Sequence, residues 1–108
     1  LDDREFLTRL YRAAVAAVDP AALVLEALGR RGDGVFVRSV SSATRREFVF
    51  APSRVAVLAV GKAAVPMTVA AHAVLGRRLD EALVVAPAGA PFSGLPPAAR
   101  LIPASHPH

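Results

Sequence analysis

Val55-Ala56-Val57-Leu58-Ala59-Val60-Gly61-Lys62-Ala63-Ala64 is the stretch on which the fold turns. Val55 to Val60 form an unbroken apolar run rich in β-branched valine, the pattern of a strand buried on both faces of a parallel sheet. Gly61 breaks that run, and Lys62 to Leu75 has helix-forming composition up to Gly76. Pro66 does not oppose a helix here. In a first turn its missing N–H removes no intrahelical bond, so it sets the helix start near Lys62 or Ala63. Leu83-Val84-Val85 reads as a second buried strand. Strand, helix and strand with short links form a βαβ crossover, right-handed by strong default. The expected fold class is therefore α/β, a Rossmann-like open and mainly parallel sheet with flanking helices.

Toward the N-terminus, Phe6, Leu7, Leu10, Tyr11, Ala14 and Val18 recur at helical spacing, with Arg4, Arg9 and Arg12 mainly on the other face. Asp2, Asp3 and Glu5 crowd the first turn, where the helix dipole favours negative charge. Glu5 and Arg9 are spaced for an i,i+4 pair. An amphipathic helix of this kind is expected to pack against something larger. Asp19-Pro20 reads as an N-cap followed by proline at the first helical position. Leu23, Val24, Leu25 and Leu28 then make a short helix that Gly29 can end in the left-handed C′ position. Arg31 to Gly34 is a turn. Val35-Phe36-Val37 and Phe48-Val49-Phe50 read as two short strands joined as a hairpin by Ser39–Arg46.

Toward the C-terminus, Ala86 to Ala99 holds Pro87, Pro91, Pro96 and Pro97 with Gly89 and Gly94, a stiff loop rather than an element. Leu101-Ile102 starts another short strand. An open parallel sheet of two or three strands leaves an edge and a face uncovered. Residues 1–108 are accordingly expected to be the N-terminal part of a larger domain, incomplete as they stand.

Composition narrows the function classes. A chain of 108 residues with 54% hydrophobic and 20% charged residues can pack a core and is not disordered. No apolar run approaches the roughly 18–20 residues of a membrane helix, and acidic residues at positions 2 and 3 do not read as a signal peptide. The absence of cysteine excludes disulfides and thiolate metal sites and fits a cytoplasmic location. The net charge is +4, yet the arginines are spread along the chain and the few aromatics are not interleaved with them. A nucleic-acid surface needs both basic clustering and stacking rings, so an ordinary solvated surface is the better account.

Chemistry concentrates at Val60-Gly61-Lys62-Ala63-Ala64. A glycine after a buried strand permits a tight turn and close approach of a ligand to the backbone. The helix beyond aims free N–H groups and a positive dipole end at the same place, which favours phosphate or carboxylate. Lys62, the only lysine in the chain, adds a full charge there. Open α/β sheets bind ligands beyond the carboxyl ends of their strands. The turn is not a Walker A loop, because no glycine stands at Ser53–Ala59 and Ala63 follows the lysine; nor is it G-x-G-x-x-G, because Ala59 and Ala64 stand where glycines are wanted. A glycine serving only the turn, followed by a solvated lysine, is the competing account.

Other polar residues carry less. His72 sits among Ala70, Ala71 and Ala73 and reads as a packed or surface histidine. His106 and His108 form H-x-H, but Pro107 intervenes and no third ligand is visible, so no metal site is assigned. Ser93, Ser105 and Asp80 show no nucleophile–base pairing.

Leu10 to Pro20 (L-Y-R-A-A-V-A-A-V-D-P), Arg54 to Met67 (R-V-A-V-L-A-V-G-K-A-A-V-P-M), Ala82 to Pro87 (A-L-V-V-A-P) and Ala104 to Pro107 (A-S-H-P) occur in that order. Together they resemble the N-terminal domain of MOFRL-type, or class II, glycerate 2-kinases, over essentially the whole chain. The resemblance implies transfer of the ATP γ-phosphoryl group to the 2-hydroxyl of D-glycerate with Mg²⁺, with a C-terminal MOFRL domain elsewhere in the same chain. It implies Lys62 as the catalytic residue, Gly61, Lys62, Ala63 and His106 as residues binding substrate or phosphate, and Mg²⁺ ligands outside these 108 residues. On that basis the segment alone is expected to be inactive. Ala59 departs from the first glycine of the family's G-A-G-K turn, and His108 stands where many members have valine. A hydroxypyruvate reductase-type oxidoreductase and a non-catalytic anion-binding domain are the alternatives. Asp80 and Glu81 lie near the spacing of a ribose-binding acid, but the glycines of a dinucleotide fingerprint fail.

Overall fold

A computed structural model describes residues 2–39 and 46–105. The elements in chain order are α1 (Asp3–Ala17), α2 (Pro20–Ala27), β1 (Leu28–Arg31), β2 (Gly34–Arg38), β3 (Glu47–Phe50), β4 (Val55–Val60), α3 (Ala64–Leu75), a single 3₁₀ turn (Gly76–Arg78), β5 (Leu79–Pro87) and β6 (Ala99–Ala104). The strands form two three-stranded sheets, one in the order β1-β2-β3 and one in the order β4-β5-β6. The second sheet is parallel throughout, with Val57 opposite Ala82 and Val84 opposite Leu101. The architecture is thus mixed α/β, a partial Rossmann-like unit with α3 crossing from β4 to β5.

Local chemistry explains the helix starts. Asp2 caps α1 by accepting from the Glu5 amide at 2.7 Å, while Glu5 reaches back to the Asp2 amide at 3.2 Å. This capping box satisfies two free N–H groups at once. It also takes Glu5 away from the anticipated pair with Arg9. Asp19 caps α2 through the Ala22 amide at 2.9 Å, with Pro20 as the first helical residue. No residue of α1 is buried among the described residues, and Phe6, Leu7, Leu10 and Tyr11 all stay exposed. The packing anticipated for its apolar stripe is therefore not met within them.

The β1-β2-β3 sheet bears out the hairpin. Val35 pairs with Phe50 and Val37 with Phe48, antiparallel. Of the connecting segment, residues 40–45 lie outside the described residues. Gly29 is a correction. It does not end α2 in a left-handed conformation; Leu28 follows the helix with extended φ −128° and ψ 129°, and Gly29 lies inside β1 opposite Phe36. A methyl group there would run into the Phe36 ring and force it to shift, so glycine suits the close approach across the strand pair. The Phe36 ring also receives Arg31 and Arg38 over its faces, 4.9 and 4.8 Å from its centroid.

Two apolar clusters hold α3 down. Val35, Ala71, Leu75, Leu79 and Ala82 join the antiparallel sheet to the helix and to β5. Ala64, Val65, Val84 and Ala86 lie under the first half of α3. The many alanines let the helix approach the strands closely. Val84 is fully buried, worth about 1.5–3 kcal/mol of apolar burial. Thr68, also fully buried, satisfies its hydroxyl on the Ala64 carbonyl at 2.7 Å. At the far end, Gly76 takes φ 56° as the helix stops, in line with the stop anticipated there. Arg30 donates to the Val74 carbonyl at 2.6 Å, a cation meeting the negative end of the helix.

β4 is a second correction. It is not buried on both faces: its residues alternate between half-buried and exposed, and Leu58 and Val60 are 70% and 68% exposed. β4 is an edge strand of its sheet with α3 on one face only. β5 is longer than the anticipated Leu83–Val85 core. The loop after it spans 88–98 rather than 86–99, and it joins two parallel strands without a helix. It is pinned by turns at Ala90 N–H to Pro87 O and Ala99 N–H to Pro96 O, both 3.0 Å.

Candidate anion-binding site

β4, β5 and β6 run parallel, so their carboxyl ends fall on one side of the sheet. Gly61 continues the ladder one step beyond β4, its N–H donating to the Val85 carbonyl at 2.9 Å. It then turns with φ 121°, a conformation that only glycine adopts without strain, and nothing lies within 4 Å of where a side chain would start. The anticipated need for glycine at this turn is met. Lys62 and Ala63 form the turn proper, closed by the Ala64 N–H on the Gly61 carbonyl at 3.2 Å.

The helix begins slightly later than anticipated, at Ala64, with Ala63 as its N-cap (φ −93°, ψ 3°) and no side-chain cap. The physical reason is the turn itself, which uses Lys62 and Ala63 before helical geometry sets in. Pro66 is the third helical residue and needs no donor there. Among the described residues, the amides of Lys62, Ala63 and Val65 have no backbone acceptor. They form an open set of donors at the positive end of α3, beside an exposed lysine that makes no ion pair among the described residues.

A cleft of about 200 Å³ opens at the strand ends, bordered by Gly61 and Lys62 after β4, Pro87 at the end of β5, and Ala104 and Ser105 at the end of β6. Among the described residues no acid borders it. Gly61 and Lys62 therefore share one recess, while Ala63 stands beside it as the helix cap. His106 lies outside the described residues; Ser105, its neighbour in sequence, borders the cleft. Ser105, which shows no base partner in the sequence, is brought to the cleft by the fold. Its signal is topological, because only the parallel pairing of β6 with β5 carries it to the mouth of the β4 turn. A second, larger groove of about 650 Å³ lies between α2, α3 and the loop after β5, and Lys62 borders this one too.

His72 is half-buried in the last turn of α3 and takes no part in the site. Asp80 pairs with Arg54, whose Nε and guanidinium NH2 donate to one carboxylate oxygen at 3.1 and 2.6 Å. That hydrogen bond, then the carboxylate's charge, raises the pKa of Arg54 above its ordinary value. Asp80 is thus engaged at the opposite end of the sheet, since it lies near the start of β5. Among the described residues no group of three or more His, Asp or Glu side chains is placed to hold a metal ion. Nor is any helix among them long and apolar enough to cross a membrane.

The arrangement can hold a small anion: unpaired amides, one cation, one hydroxyl and a backbone that permits close approach. No significant match to a curated protein or to a solved structure was found. The family model described as Domain of unknown function (DUF4147) matches residues 6–108, nearly the entire chain, and the protein belongs to that family.

Proposed function

We propose that the chain forms the N-terminal part of a glycerate 2-kinase domain, within a longer protein that phosphorylates D-glycerate from ATP. The observation that carries the proposal is the position of Lys62, a cation with no ion pair among the described residues, at the carboxyl ends of three parallel strands and bordering a cleft of about 200 Å³. Membership of the DUF4147 family is compatible with it, and the resemblance of Arg54–Met67 and Ala104–Pro107 to MOFRL-type glycerate kinases supports it.

In the reaction, the 2-hydroxyl oxygen of glycerate bonds to the γ-phosphorus of ATP as the bond from that phosphorus to the β,γ-bridging oxygen breaks. The hydroxyl proton leaves to solvent or a base, and ADP departs with the bridging oxygen. Such transfer depends on positioning and on neutralising charge spread over the phosphoryl oxygens. Lys62 supplies that charge, and the amides of Lys62 and Ala63 orient the oxygens. Gly61 keeps the backbone open to them. Ser105 offers a hydroxyl to the substrate's polar groups.

The test is a coupled assay on the longer natural protein, following ADP formation dependent on D-glycerate and identifying 2-phosphoglycerate as product. Consumption of NADH dependent on hydroxypyruvate, with no ATP-dependent phosphorylation of glycerate, would overturn the kinase assignment.

A further inference from the structure

Two apolar surfaces of this chain have no cover among the described residues. One is the stripe of α1, where Phe6, Leu7, Leu10 and Tyr11 are all more than half exposed. The other is the face of the parallel sheet turned away from α3. Side chains alternate along a strand, so the register sets Leu58 and Val60 of β4, Leu83 and Val85 of β5 and Ile102 of β6 together on that face. Val57, Ala59, Ala82 and Val84 fall on the opposite face, the one packed under α3. Leu58, Val60 and Ile102 are exposed. A helix stripe and a sheet face are each one half of a packed layer, and contiguous apolar surface of this kind marks a contact.

We propose that a second copy of this chain covers both: α1 of each protomer lies across the open sheet face of its partner. The lengths agree. The 15 residues of α1 give a helix about 22 Å long, and the six residues of β4 span about 20 Å. Stacking two sheet faces would leave both α1 helices bare, and pairing two α1 helices would leave both sheets bare. The unlike pairing leaves neither exposed, and because each copy brings one of each it closes about a two-fold axis. A protomer's own α1 is badly placed for the task. Only Val18 and Asp19 separate it from α2, and α2 packs against α3, on the far side of the sheet from the open face. Two reciprocal contacts bury roughly 1,200–2,000 Å², the size of a stable protein interface. The capping box of Asp2 and Glu5 holds α1 in helical form before it docks.

The test uses the full-length protein and reads mass rather than turnover, so its result is independent of the kinase assignment. Sedimentation at micromolar concentration is expected to give a dimer. Leu10→Asp on α1 and Leu58→Asp on the sheet are each expected to weaken dimerisation at least a hundredfold. Both positions are exposed, and an unchanged melting profile of the dilute monomer confirms that the fold is kept. Residues 1–108 contain no cysteine, so a thiol linker addresses the contact itself. Mixing Leu10→Cys protein with Leu58→Cys protein and adding a short bismaleimide is expected to give a species of twice the monomer mass, with far less from either variant alone. A monomeric wild-type protein would overturn the proposal, as would a dimer that survives both aspartate substitutions. So would a double variant, Leu10→Cys with Leu58→Cys, that links within one chain at monomer mass, because α1 would then cover its own sheet.

Discussion

The two ends of the parallel sheet treat charge in opposite ways. At the amino end, Arg54 before β4 and Asp80 in β5 face each other, and the guanidinium makes two hydrogen bonds to one carboxylate oxygen. Those charges are matched, exposed and used to tie neighbouring strands. At the carboxyl end, Lys62 follows β4 and, among the described residues, has no acid bordering its cleft and lies next to amides that have no backbone acceptor. Among the described residues, the charge is compensated at one end and uncompensated at the other. A protein that needed only solubility would gain nothing by concentrating unmatched positive potential at a glycine turn, whereas an anionic reactant would.

The sharpest way to break the comparison is to remove the unmatched charge. Lys62→Ala in the full-length protein is expected to lower glycerate phosphorylation about tenfold to a thousandfold, the scale of one lost electrostatic stabiliser. Steady-state kinetics read it, and unchanged turnover would remove Lys62 from the mechanism. Next, Gly61→Val forces a β-branched residue to φ 121°; strain of about 1–3 kcal/mol is expected, visible as a lower urea midpoint together with reduced activity. Gly29→Ala places a methyl group in the Phe36 ring and is expected to destabilise by about 1–3 kcal/mol through overpacking. Adding Phe36→Leu should recover part of that loss, a coupling that a double-mutant cycle measures directly. The smallest effect belongs to the matched end. Arg54→Ala should leave turnover at its wild-type level and lower the melting temperature slightly, by an amount that shrinks with added salt.

Features set by local chemistry were legible in the sequence. Asp19-Pro20 starts a helix because cap and ring geometry are properties of adjacent residues, and Gly61 announces a turn because it interrupts a strand-forming run. Gly76 ends α3 for the same kind of reason. What failed was set at long range. Gly29 looks like a helix stop locally, yet its role is dictated by Phe36 across the strand pair. Leu28-Gly29-Arg30-Arg31 carries no strand signal and becomes β1 only by pairing with β2. The apolar run of β4 reads the same whether it is covered on two faces or one, so its edge position and the exposure of Leu58 and Val60 were hidden. At the site, Gly61 and Lys62 were visible in sequence. Ser105 and the second groove depend on strand order and on how α2 sits beside α3, which spacing does not encode.

The most direct measurement uses the chemistry of Lys62 itself, the single lysine in this stretch. The full-length protein is acylated briefly with and without saturating ATP and D-glycerate, and the Lys62 peptide is quantified by mass spectrometry. Strong protection of the Lys62 amine by the two ligands together, with partial protection by either one alone, is the expected result. An amine that acylates at the same rate whether or not the reactants are present would contradict the placement of Lys62 between them.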